Sequence, residues 1–475
     1  MSQQCKELIA NSGIAFGTSG ARGLVEQFSD DVCAAFTVAF LHVMREHVDV
    51  NRVAMGMDRR PNSPDMAAAC TAAARAVGIE VADYGILPTP ALALQAMADG
   101  IPAIMITGSH IPFDRNGIKF YRPEGEITKA DEQAILNAEV ELPQLGAIAR
   151  NSERNAANER YLTRFTTWFE GKPLIGMRVG LYQHSAAGRD LSQQVLEALG
   201  ASVIPLGRSE QFVPVDTEAV SEEDRAKAST WSAEHNLDAL FTTDGDGDRP
   251  LLADEHGQWL RGDILGLLCA RELGIQALAV PVSCNTAIEG CGAFAQVVRT
   301  RIGSPYVLAA MGALTEQNTQ VAGFEANGGF LLASRLQKET GYLEALPTRD
   351  ALLPALTLLV AAAQQNKPLS ALVDGLPLRF TASDRLKSFP TERSAALLSQ
   401  WKDDLPAMQK ALGLEASIIH VDSTDGLRVT LTTGDVVHLR PSGNAPELRC
   451  YAEAGTSEQA AEVAKKSLAA CAHFL

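Results

Sequence analysis

The sequence predicts an α/β protein: three similar α/β domains followed by a smaller C-terminal α+β domain. Three observations predict it. Apolar strand-like runs alternate with helix-like stretches, the pattern of sheets covered by helices. The alternation restarts twice at similar spacing without strong identity between rounds, as diverged repeats of one domain type do. Near residue 368 the texture then changes to hairpin strands and one closing helix.

Arg52 to Met57 reads as a first strand, and Pro64 to Val77, rich in alanine, as a helix. Val81 to Tyr84 is a second strand and Pro102 to Thr107 a third, which ends at a polar loop running to Tyr121. The pattern returns with a strand at Gly176 to Leu181, a helix at Leu191 to Leu199 and a strand at Gly200 to Ile204. A third round begins at Gln276 to Val282, with Val297 to Thr300 as its next strand. Polar stretches at Arg150 to Asn155 and Asp254 to Asp263 separate the rounds. Leu427 to Thr433 and Val436 to Arg440 flank Gly434-Asp435 as a hairpin, and Ser457 to Ala470 makes the last helix. The expected domains are therefore 1–150, 151–255, 256–368 and 369–475.

Bulk properties narrow the function classes. Hydrophobic residues make up 46% of the 475 and charged residues 21%, as in soluble globular proteins with substantial cores. A net charge of −16 argues against nucleic acid as a partner and leaves room for local basic pockets that take small phosphates. The eight cysteines show no C-x-x-C pair and no framework spacing, and read as reduced core residues of a cytoplasmic protein. The apolar run Ala351 to Ala363 is shorter than the roughly 20 residues a membrane span needs, so no membrane association is expected.

The most informative stretch is Thr243-Asp244-Gly245-Asp246-Gly247-Asp248-Arg249. Like charges this close are unfavourable unless a cation neutralises them, and the glycines let the three carboxylates converge. All-oxygen ligands favour a hard ion, Mg2+ before Ca2+ or Mn2+. Asp244, Asp246, Asp248 and Glu255 also fall at positions one, three, five and twelve of a calcium loop, but Arg249 occupies the sixth position, where that loop needs glycine. Strand, metal loop, strand and hairpin is the better reading of residues 237–257.

Three other loops carry chemistry. In Thr107-Gly108-Ser109-His110 the glycine leaves the Ser109 hydroxyl accessible, while His110 and Lys119 supply protons or positive charge. No G-x-S-x-G elbow supports a hydrolase serine, and an ordinary Ser-His turn remains the alternative. Glu325 and Asn327 lie on the glycine-rich turn Gly323 to Gly329, suited to sugar hydroxyls. Arg440-Pro441-Ser442-Gly443-Asn444 offers the guanidinium, hydroxyl and backbone donors that wrap a phosphate. Phe16 to Gly23, with Arg22, is a weaker candidate of the same kind.

Taken in order, these loops resemble the α-D-phosphohexomutase family, from Phe16 to Tyr451. The resemblance implies four domains around a cleft, the three α/β domains with mixed sheets, each domain giving one loop, and a reversible transfer of phosphate between the C1 and C6 oxygens of an aldohexose. It implies that Ser109 is the phosphorylated serine, with His110 beside it, and that Ser109, Asp244, Asp246 and Asp248 hold Mg2+. Arg249 would stand next to the phosphoserine, with Arg22 and Lys119 lining the cleft. Glu325 and Asn327 would hold sugar hydroxyls; Arg440, Ser442, Gly443, Asn444 and Arg449 would hold the non-transferred phosphate. The implied partner is a small sugar phosphate, with hexose 1,6-bisphosphate as intermediate and activator. The mannose ester is the expected substrate, glucose and glucosamine phosphates the alternatives, and a sugar-phosphate-binding protein without turnover the rival from another class.

Departures from the family pattern are specific. Its serine loop resembles T-A-S-H-N-P, where this chain has Gly108 and Ile111. Its commonest sugar loop reads G-E-x-S-G-H, where this chain has Asn327 for serine and Gly329 for histidine. Gln183 to Gly188 replaces a more glycine-rich turn, and Asn444-Ala445-Pro446 replaces T-E-P.

Overall fold

The computed structural model describes residues 4–17, 20–146, 155–339, 341–442 and 446–474. Its three α/β sheets repeat one strand order. In the first, Arg52–Met57 is flanked by parallel Glu80–Ile86 and Ala103–Ile106, and Arg115–Arg122 follows antiparallel. In the second, Arg178–Tyr182 lies between parallel Ser202–Leu206 and Ala239–Thr243, with antiparallel Pro250–Ala253 beyond. In the third, Ala277–Pro281 lies between Gln296–Thr300 and Val321–Phe324, with antiparallel Phe330–Leu332 beyond and Leu346–Asp350 after it. The shared order is second, first, third, fourth. Extra strands Ala15–Phe16, Ala21–Leu24 and Gly125–Glu126 enlarge the first sheet to seven.

The strands expected at Arg52, Val81, Gly176, Gly200, Gln276 and Val297 are present within a few residues, as are the helices Ser63–Ala76 and Arg189–Ala198. One reading needs correction. The polar loop after the third strand ends at Asp114, because Arg115–Arg122 is a strand registered on Ala103–Ile106, with Met105 opposite Lys119. Its residues from Asn116 to Tyr121 are buried, so it lacks the polar-apolar alternation of a half-exposed strand. The linker expected at Arg150 to Asn155 lies outside the described residues except for Asn155, which precedes the helix Ala156–Trp168.

One continuous apolar core joins the second and third sheets to one face of the first, with Leu92, Phe165, Phe241 and Leu356 among its members. The apolar run after Ala351 is the buried helix Leu352–Gln365; no helix of the described residues is long and apolar enough to cross a membrane. The last sheet is wholly antiparallel, in the order Phe380–Lys387, Glu447–Ala454, Val436–Pro441, Leu427–Leu431, Ile418–Asp422, and keeps its own core around Trp401. Seven of the eight unpaired cysteines are buried. The expected architecture, three α/β domains and a smaller α+β domain, is the architecture found.

Candidate active site

In each repeat the loop joining the third to the antiparallel fourth strand carries the chemistry, and a backbone hydrogen bond closes each: Thr107 N to Gly117 O at 2.9 Å, Asp244 N to Arg249 O at 3.1 Å, Glu325 N to Gly329 O at 3.2 Å. The first two loops meet directly. Ser109 Oγ donates to Asp244 Oδ2 at 2.5 Å across 135 residues of sequence. Ser109 is fully buried, so the accessible hydroxyl expected from Gly108 is not what the glycine provides. A Cβ on Gly108 would stand 2.6 Å from the Arg60 guanidinium carbon. Arg60, itself buried, donates to four carbonyls of the serine loop: Ser109 at 3.0 Å, Ile111 at 2.6 Å, and Pro112 and Arg115 at 2.8 Å. Phe212 lies flat against the same guanidinium, its centroid 3.9 Å away. These bonds hold Ser109 at φ 54°, a left-handed conformation unfavourable for a residue with a Cβ. Its N–H donates to Thr107 Oγ1, which donates to the buried Asp58.

The three aspartates converge as expected: one carboxylate oxygen from each lies within 4.8 Å of the others, and all three are buried. Oδ1 of Asp246 and Oδ1 of Asp248 are buried without a hydrogen-bond donor among the described residues. Burial first, then repulsion from Asp246 and Asp248, drives the Asp244 carboxyl well above the usual carboxylate range. Burial acts the same way on Asp248, but Arg349, Lys119 and Arg249 outweigh it and hold that group below the range. A trio that resists full ionisation, with two orphaned oxygens, fits a divalent cation. Glu255, the twelfth position of the calcium-loop alternative, instead accepts from the Ser370 hydroxyl and its N–H.

Cations surround the trio. Lys119 Nζ bridges Asp246 at 2.6 Å and Asp248 at 2.7 Å. Arg249 donates through Nη1 to His110 Nδ1 at 2.7 Å; a guanidinium can only donate, so the imidazole is neutral with its hydrogen on Nε2. Burial, then Arg249 and Arg22, push His110 well below its ordinary value. Arg22 is pushed down to about 10 by burial and by the positive charges of Arg249 and Arg349. Arg349 donates to Asp248 and to Glu325, which brings the Gly323 to Gly329 turn into the same cluster.

The chain matches the descriptions "Phosphoglucomutase/phosphomannomutase, alpha/beta/alpha domain" I, II and III over residues 13–141, 159–257 and 261–380, and the C-terminal domain of the same family over 393–470. A phosphomannomutase from Salmonella muenchen is 51% identical over 97% of this chain and 96% of its own. The chain belongs to the phosphoglucomutase/phosphomannomutase family. Another phosphomannomutase, from Sinorhizobium fredii, is 43% identical over 96% of this chain and 98% of its own. The solved structure of a phosphoglucomutase/phosphomannomutase family protein from Burkholderia thailandensis shares the fold, with a TM-score of 0.73 at 20% identity over 96% of this chain and 97% of that one.

The family's four loops are not equally assembled. Ser109, His110, Lys119, Arg22, Arg249 and the aspartates form one cluster, and Glu325 joins it through Arg349. Asn327 turns its side-chain oxygen to the Gly329 N–H at 3.0 Å, and its carbonyl accepts from Thr217 Oγ1 at 2.9 Å. Arg440 is held by Asp425 at 2.8 Å, whose same oxygen accepts from Ile302 N–H at 2.9 Å. Ser442 is buried, with its N–H on the Glu447 carbonyl at 2.8 Å, and Arg449 bonds to Tyr451. Gly443 and Asn444 lie outside the described residues.

Several residues here were not singled out from sequence: Arg60, Arg349, Asp58 and Thr89. Thr89 Oγ1 donates to Asp246 Oδ2 at 2.6 Å and its N–H to the Asp246 carbonyl at 2.9 Å. The altered turn Gln183 to Gly188 also finds its account. His184 Nε2 donates to Thr243 O at 2.9 Å, and Ala187 N–H to Gly245 O at 2.9 Å, so this turn backs the metal loop.

Proposed function

We propose that this chain is a phosphomannomutase, interconverting hexose 1-phosphate and hexose 6-phosphate through phosphorylated Ser109 and a hexose 1,6-bisphosphate. The 2.5 Å contact of the Ser109 hydroxyl with the aspartate trio is the observation that carries the reading. Relatives 51% and 43% identical over nearly the full chain bear the name phosphomannomutase.

The free hydroxyl oxygen of the sugar attacks phosphorus, the bond from phosphorus to Ser109 Oγ breaks, and the hydroxyl proton leaves to a base. After the bisphosphate reorients, Ser109 Oγ takes back the other phosphoryl group and releases the isomeric monophosphate. Asp244, Asp246, Asp248 and the Ser109 oxygen would hold Mg2+, which would supply neutralisation of charge on the transferring oxygens. Charge counting supports the assignment. Arg22, Arg249, Arg349 and Lys119 face the carboxyl groups of Asp244, Asp246, Asp248 and Glu325, four cationic groups against four carboxyls that balance once Asp244 is ionised beside a cation. A phosphoryl dianion and a divalent cation entering together leave that balance intact.

His110 keeps its hydrogen on Nε2, as a donor, because Arg249 occupies Nδ1. Lys119, whose Nζ lies on Asp246 and Asp248, is therefore the better candidate proton carrier. Glu325 and Asn327 recognise the sugar, and Arg440, Ser442, Gly443, Asn444 and Arg449 the non-transferred phosphate. Cysteines left unpaired in the described chain suit a cytoplasmic enzyme.

The test is conversion of mannose 1-phosphate to the 6-phosphate with Mg2+ and a trace of hexose 1,6-bisphosphate, compared with glucose 1-phosphate. Ser109→Ala is expected to abolish turnover and to remove the phosphopeptide seen by mass spectrometry. Full activity of that variant would rule out the serine as phosphate carrier.

A further inference from the structure

The sugar loop is short of side chains for its task. Asn327 spends its side-chain oxygen on the Gly329 N–H, and Gly329 has no side chain at all. The space beside Gly329 is not empty. A Cβ there would stand 2.5 Å from Arg349 Cδ and 2.7 Å from its Cγ, so the stem of Arg349 requires glycine at 329. Arg349 comes from the neighbouring strand Leu346–Asp350, whose Asp350 is registered opposite Phe330. It is 1% exposed. Its Nε and Nη2 donate to Asp248 Oδ2 at 3.1 and 3.0 Å, and its Nη1 to Glu325 Oε2 at 3.0 Å.

We infer that Arg349 is a positioning residue through which the metal loop and the sugar loop sense each other's occupancy. This rests on the phosphohexomutase reading above and assigns to it a residue outside the four loops. A planar guanidinium spans two carboxylates with separate edges, which a lysine ammonium cannot do. The two contacts act in opposite directions. At Asp248 the guanidinium holds Oδ2, and its positive charge opposes a divalent cation at the orphaned Oδ1 of the same carboxylate. At Glu325 it fixes the carboxylate that meets the sugar. A substrate that draws on Glu325 therefore changes the hold of Arg349 on Asp248, and by reciprocity metal binding alters sugar affinity.

The experiment uses the full chain with Arg349→Met, which keeps most of the stem and removes the charge. Mg2+ affinity is read by calorimetry without sugar, and KM and kcat with mannose 1-phosphate. Mg2+ is expected to bind tighter while KM rises, each by roughly tenfold, a factor within the usual range of coupling between sites. A merely structural role would weaken both. Gly329→Ala keeps the charge and displaces the stem, and is expected to raise KM in the same direction. Weakening of both ligands by Arg349→Met, or KM unchanged in both variants, overturns the inference. Failure of the parent protein to interconvert hexose phosphates would instead overturn the proposed function, and the calorimetric arm would still read the link from Arg349 to Asp248.

Discussion

Arg60 holds the serine loop by four carbonyls, and replacing it tests whether that grip sets the position of Ser109. Arg60→Lys keeps the charge but offers a single nitrogen with three hydrogens against four acceptors spread from Ser109 to Arg115. At least one buried carbonyl loses its donor. A hydrogen bond to a charged group contributes about 1.5–3 kcal/mol, and a buried carbonyl left unpaired costs about 1–3 kcal/mol. A loss of about 3 kcal/mol from the loop conformation lowers the population with Ser109 against Asp244 by roughly a hundredfold, at about 1.4 kcal/mol per factor of ten. The assay is the stoichiometry and rate of Ser109 phosphorylation by hexose 1,6-bisphosphate, alongside turnover of mannose 1-phosphate. Both are expected to fall together, with the far-ultraviolet spectrum unchanged. Gly108→Ala, whose Cβ would press on the same guanidinium, is expected to move both readouts in the same direction. Parental phosphorylation and turnover in Arg60→Lys would refute the reasoning.

Acid and hinge perturbations give two more expectations. Burial pushes His184 and His438 down to about 4, each with Nε2 on a backbone carbonyl and Nδ1 buried without a partner among the described residues. Unfolded imidazoles take a proton near 6.5, so stability is complete above that pH and is lost as pH falls from about 6.5 towards 4, by about 3 kcal/mol for each histidine. Thermal midpoints between pH 7.5 and 4.5 measure it, and His438→Gln, which cannot gain that charge, is expected to flatten the slope; an identical slope would contradict the account. Asp425→Ala removes the acceptor shared by Arg440 and the Ile302 N–H. Hydrogen exchange around residues 301–303 and 422–426 is expected to quicken by roughly tenfold or more, matching about 1.5–3 kcal/mol for a charge-assisted bond, and unchanged exchange would show that the fourth domain docks by other means.

The fold was legible where local chemistry decides local structure. The runs at Arg52, Gly176 and Gln276 are apolar enough to read as strands, and the aspartates of 244–248 point to a cation because like charges that close need neutralising. The strand Arg115–Arg122 was not legible, since burial of its Asn116, Gly117 and Lys119 comes from partners 50 to 130 residues away. Arg60 and Arg349 were missed for the same reason: their meaning lies in Ser109 and Asp248, 49 and 101 positions distant. A trace of each was nevertheless visible as a departure from the family motif. Gly108 and Gly329 mark the two places where an arginine arriving from elsewhere needs the room.

Each chemical loop of the three repeats is pinned at both ends by paired strands, so a change in its length would displace the side chains it carries. Preference for a new hexose therefore has little freedom to arise by remodelling the connections themselves. The open route is to exchange side chains on adjoining strands, which can reach over a bare glycine and present a group the loop no longer carries.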